Sequence, residues 1–117
     1  MLMRELFDDL LNIDGVKGLI LLSFSGETIF RVLNHLGHEN FETRDWRPLI
    51  GSLANIRESD IVFEKGRLYI RRTGLGFLIV WMGSFVPIAM MRLQCDILMP
   101  SLNPAKATKG IRRFFKK

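Results

Sequence analysis

Residues 60–82 read DIVFEKGRLYIRRTGLGFLIVWM. Three runs stand out: Asp60–Glu64, Arg67–Arg72 and Phe77–Met82. Each is rich in β-branched and aromatic residues, as strands are. Lys65-Gly66 and Thr73–Gly76 lie between them and supply turn chemistry. Strands joined by turns this short pair antiparallel. The first run carries charge at both ends, which suits a sheet edge. The last is apolar on both faces and suits a sheet centre covered on both sides.

Towards the N-terminus, Gly18–Phe24 is a short apolar run, Ser25-Gly26 is a turn, and Thr28–Leu33 is β-branched and aromatic; together they read as a second hairpin. Leu2–Ile13 has helical periodicity. Leu2, Met3, Leu6, Phe7, Leu10, Leu11 and Ile13 share one half of the wheel; Arg4, Glu5, Asp8, Asp9 and Asn12 share the other. Asp14-Gly15 stops that helix. Asn34–Arg44 is polar, holds both histidines and reads as a loop. Asp45 is a plausible N-cap that places Pro48 in a first helical turn. Trp46, Leu49, Ile50, Leu53 and Ile56 then mark an apolar face. The opposite side, Gly51, Ser52 and Asn55, is small and uncharged. It either admits a second helix closely or is a short solvated face.

A last helix should start near Pro87 and end at Asn103-Pro104. Ile88, Met91, Cys95, Leu98 and Leu102 form one apolar line; Met90, Leu93 and Ile97 form another on nearly the opposite side. One line can cover the sheet. The other needs the first helix, a partner chain, or both. The element order is helix, two strands, helix, three strands, helix, with no internal repeat. That is an α+β sandwich on an antiparallel sheet.

Composition agrees. The 117 residues are 48% hydrophobic and 25% charged, enough for one domain with a true core and too apolar for disorder. A single cysteine, Cys95, rules out an internal disulfide framework and points to a reducing, cytoplasmic compartment. The first turn is too acidic for a secretion signal. Thr73–Met91 lacks charge, but Gly74, Gly76, Gly83, Ser84 and Pro87 break it, so a strand, a turn and a helix start explain it better than a membrane span. Net charge is +5. Lys106, Lys109, Arg112, Arg113, Lys116 and Lys117 supply six positives after residue 103 with no acid, so residues 1–103 sum to −1. The expected division is a domain over residues 1–103 and a basic tail over 104–117.

At this point the chain resembles the Roadblock domain, the family of dynein light chains and bacterial polarity regulators. Three stretches carry the likeness. One is the apolar helix from Leu6 followed by Ile13-Asp14-Gly15-Val16, Gly18, the apolar strand to Ser23, and Gly26. The second is Gly66-Arg67-Leu68-Tyr69-Ile70 continuing through Gly76 into Phe77–Val80. The third is the terminal amphipathic helix. The resemblance implies five antiparallel strands in the order 2-1-5-4-3, with the middle helix on one face and both terminal helices on the other. It implies dimers, homo- or heterotypic, through the third strand and the middle helix: here Asp60, Ile61, Val62, Phe63 and Glu64, with Trp46, Ile50, Gly51 and Asn55. It further implies a non-enzymatic scaffold or regulator of a small Ras-like GTPase, with no catalytic side chain to carry over and no cofactor. The tail departs from the minimal domain.

Other chemistry finds little footing. Gly74-Leu75-Gly76 lacks the rest of a phosphate loop and lies between strands. His35 and His38 with Glu39 fall short of a metal ligand set. No serine or cysteine has a base at recognisable spacing. No polar cluster inside the expected core supports a small-ligand sensor. The tail, with Arg112, Arg113, Phe114, Phe115, Lys116 and Lys117, leaves three uses open: contact with an anionic membrane surface, contact with nucleic acid, which is the least favoured partner, or an idle solubilising end.

Overall fold

Period-two burial decides how the chain stacks. In the computed structural model, which describes residues 3–33, 45–64 and 66–103, two short N-terminal helices, α1 (Met3–Leu6) and α2 (Asp8–Leu11), precede the hairpin β1 (Val16–Leu22) and β2 (Thr28–Leu33). After these come α3 (Arg47–Ser52), β3 (Glu58–Phe63), β4 (Gly66–Arg72), β5 (Phe77–Met82) and α4 (Ile88–Leu98), which tightens into a 3-10 turn at Met99–Leu102. All strand pairs are antiparallel, in the order β2-β1-β5-β4-β3.

Because side chains alternate along a strand, each strand feeds two cores. Leu19, Leu21, Tyr69, Leu78, Val80 and Met82 face the terminal helices and meet Phe7, Leu10, Met91, Cys95 and Leu98. Ile20, Leu22, Ile70, Phe77, Ile79 and Trp81 face the other way and meet Trp46, Ile50 and Leu53 of the middle helix region. The layering is that expected: α3 on one face, the terminal helices on the other. All six residues of β5 are buried, as its wholly apolar sequence requires of the central strand.

Three boundaries depart from the sequence reading. The single first helix is broken at Phe7, whose amide reaches back only three residues, to Arg4 O at 3.1 Å. That tightening seats the Phe7 ring in the core, stacked on Phe30 with centroids 5.7 Å apart. The middle helix stops at Ser52 rather than Ile56. Leu53 turns into the core, and Ile56 lies exposed beyond it. Trp46 occupies the N-cap position, while the neighbouring Asp45 carboxylate accepts the Arg47 amide at 3.1 Å and grips the same residue's guanidinium. Those bonds hold the Asp45 carboxyl below its ordinary range. Lastly, β3 begins at Glu58, two residues earlier than read, which brings a carboxylate into the sheet.

Gly76 closes the β4–β5 turn at a φ of +150°, where a Cβ would lie 1.8 Å from Leu22 O of β1. Only a residue without a side chain lets the two strands meet there.

Cys95 is fully enclosed against the sheet, and burial pushes its thiol up to about 12. A neutral, walled-off thiol does not attack. Native protein at about pH 8 should therefore react with a thiol reagent at least about 100-fold more slowly than chain unfolded in guanidinium. Equal rates, followed by mass spectrometry, would show that the α4 core opens readily.

Candidate interaction surface

β3 and β2 end the sheet, and among the described residues no strand pairs with the outer edge of either. Of the two, β3 exposes the more apolar surface. Ile61, Val62 and Phe63 are all exposed, Val62 by 63%. The register pairs Ile61 with Leu68 and Ser59 with Ile70, so Ile61 and Phe63 share the α3 side, while Glu58, Asp60 and Val62 share the α4 side. An exposed strand edge with three consecutive large apolar residues is a template for another strand.

Two arginines on the α4 side fix this edge in place. Arg67 donates to both carboxylate oxygens of Asp60, at 2.8 and 3.0 Å, and to the carbonyls of Ser84 and Val86, at 3.0 and 3.3 Å. One planar group thus joins β3, β4 and the loop that leads into α4. Further along, Arg92 of α4 donates to both oxygens of Glu58, at 2.7 and 3.0 Å. The Tyr69 hydroxyl donates to Glu58 and accepts from Arg71, which is also paired with Asp96 of α4. The chain Arg92–Glu58–Tyr69–Arg71–Asp96 laces α4 across β3 and β4. Arg92, then Tyr69, hold the Glu58 carboxyl below its ordinary range. Burial, with the bond to Glu58, raises the Tyr69 hydroxyl to about 12. For Arg71, burial works against the charged form, but the bonds to Asp96 and Tyr69 prevail and its acidity falls further.

A lowered carboxyl in the folded state stabilises the fold above its ordinary value and ceases to do so as pH falls through the lowered one. Glu58→Gln should therefore cost roughly 1–2 kcal/mol at neutral pH. The gap from the wild type should close as pH falls below Glu58's usual 4.5. Urea titrations across that range test this; a gap that stays constant would mean that Glu58 does not titrate through these bonds.

The residues singled out for pairing divide. Trp46 and Ile50 are buried in the chain's own α3-side core, whereas Gly51 and Asn55 lie exposed, and a Cβ on Gly51 would touch nothing within 4 Å. Asp60, Ile61, Val62, Phe63 and Glu64 are exposed along the edge and its end. Arg112, Arg113, Phe114, Phe115, Lys116 and Lys117 lie outside the described residues, as do His35, His38 and Glu39. Among the described residues no three His, Cys, Asp or Glu side chains converge as a metal would need. No described helix is long and apolar enough to cross a membrane. An open cavity of about 510 Å³ sits at the α2–β1 turn, walled by residues 11–17, Gly83 and Phe85. It lies outside the space between sheet and helices that a buried ligand would need.

The sequence reading missed the Glu58 and Arg67 networks. Alternation carries only the strand-to-strand part of them: Arg67, Tyr69 and Arg71 alternate on one face of β4, and Glu58 and Asp60 alternate on the strand beside it, but nothing local points to Arg92 or to the carbonyls before α4.

A five-stranded antiparallel sheet with one helix on one face, terminal helices on the other and an apolar β3 rim defines an α+β sandwich with an unfinished edge. It is the Roadblock/LC7 fold. A Roadblock/LC7 domain from Streptomyces avermitilis matches at a TM-score of 0.65 and 17% identity, covering 90% of this chain and 98% of that one. MglC from Myxococcus xanthus matches at 0.60 and 16%, covering 87% and 97%. An MglB structure described as having a tetrameric arrangement matches at 0.65 and 12%, covering 84% and 82%. At such identities the likeness is one of fold. No protein-family profile and no curated protein matches the sequence.

Proposed function

We propose that the chain is a non-enzymatic, cytoplasmic Roadblock-type scaffold over residues 1–103 that pairs with a second Roadblock chain and presents the composite surface to a small Ras-like GTPase. The observation that carries the pairing is the β3 rim. Ile61, Val62 and Phe63 stand exposed on a strand whose position is already fixed by Arg67 and Glu58, so a second β3 meets a preformed edge and little ordering entropy is lost on docking. Gly51 and Asn55, small and exposed, leave room for the partner's middle helix beside that seam. The GTPase part rests on the resemblance in the sequence and on the shared fold.

Light scattering on the eluting peak and pull-down against GTPases of the same genome, each loaded with GDP or a GTP analogue, test the two parts separately. A dimer at micromolar concentration and nucleotide-dependent capture are expected. A strict monomer removes the pairing; a dimer that captures no GTPase in either state removes the regulatory role while leaving the scaffold.

A further inference from the structure

We propose that the outer face of α4 is a docking surface for an anionic lipid membrane. Met90, Leu93 and Ile97 recur at spacings of three and four on the side away from the core line Met91, Cys95 and Leu98, and Leu93 and Ile97 are 57% and 61% exposed. Three large apolar side chains in one exposed helical line are more than scattered surface hydrophobics, and such a line can sink into the headgroup–acyl boundary of a bilayer.

Charge selects the occupant. α4 has two charged residues, and both are engaged inside the molecule: Arg92 with Glu58 and Asp96 with Arg71. The helix therefore sets no unpaired acid against a negative surface. The sequence that follows its 3-10 turn carries six positive charges over residues 104–117 and no acid, with Phe114-Phe115 among them. An anionic bilayer would attract a sequence of that charge and accept the apolar line on α4. Three exposed side chains also fall well short of the roughly 800 Å² per partner that a stable protein interface buries. This surface is separate from the β3 rim and its use does not depend on pairing there.

Co-sedimentation of the full-length chain with vesicles of phosphatidylcholine, with and without about 30% phosphatidylserine, tests the proposal. The chain should bind the phosphatidylserine vesicles at about 50 mM salt, ignore pure phosphatidylcholine, and release at about 500 mM. Leu93→Gln with Ile97→Gln should weaken binding about ten-fold while circular dichroism and the light-scattering mass stay unchanged. Arg112→Gln, Arg113→Gln, Lys116→Gln and Lys117→Gln together should weaken it about as much. No binding by the wild type overturns the proposal, as does wild-type binding by either variant set. A fall in mass on changing Leu93 and Ile97 would assign that face to a second copy instead.

Discussion

Gly76→Ala should destabilise the protein by about 3–4 kcal/mol. Two costs combine. The backbone at Gly76 holds a φ of +150°, open to glycine and strained for any residue with a Cβ. The added methyl would also lie 1.8 Å from the Leu22 carbonyl oxygen and 2.9 Å from Ser23 Cα. These atoms are backbone, so no rotamer change relieves the clash; β1 and the turn must separate. That separation strikes the end of the β1–β5 pairing, where Leu22 opposes Phe77 and both side chains are buried in the α3-side core. Gly51→Ala is the matched control. It lies in α3, where within one chain a Cβ meets nothing within 4 Å, and in the unpaired chain it should gain roughly 0.5–1 kcal/mol from helix propensity. Urea midpoints for the two variants should move in opposite directions. A Gly76→Ala protein as stable as the wild type would mean that the β4–β5 turn can be rebuilt without cost.

Phe63→Glu should abolish self-pairing, weakening it by at least about 100-fold, while leaving the fold intact. Phe63 is exposed at the end of β3, on the α3 side with Ile61. In the isolated chain a carboxylate there stays in water and costs little. Across a paired edge it would be desolvated, and twofold symmetry would place one such carboxylate in each half of the seam, so each interface would bury two unpaired charges. Sedimentation velocity over a concentration series reads the effect, with a thermal melt as the folding control. A variant that pairs as the wild type does would place the contact elsewhere than β3.

The elements with sharp sequence edges are the ones read correctly. β5 and β2 were placed residue for residue, because Gly76 and Gly83 bracket one and the Ser25-Gly26 turn precedes the other. The layering, with the middle helix on one face and the terminal helices on the other, came from the family resemblance and not from the local pattern. The first helix was misread because its apolar pattern runs unbroken through Phe7. Only the depth of the pocket beside Phe30 shows that the backbone must tighten there. The middle helix was read too long because Ile56 fits its periodicity, although it stands past the turn at Leu53. Of the candidate surface, the β3 rim was legible through its charged ends and apolar middle. The second line on α4 was legible too. The clamps behind the rim were not: Arg67 reaches carbonyls seventeen and nineteen positions away, and Glu58 meets Arg92 at a separation of thirty-four. Such pairings depend on tertiary placement, which local pattern does not encode.

Because neighbouring residues of β1 and β5 belong to opposite cores, a lost or duplicated codon in either strand would exchange the contents of the two compartments downstream of it. Side chains sized for the crowded side beneath α4 would then have to fill the space under the shorter α3. Drift in length is thus shut out of the middle of this gene and channelled to the places where the chain reverses, such as Ser23–Glu27, while substitution by similar volumes stays open throughout.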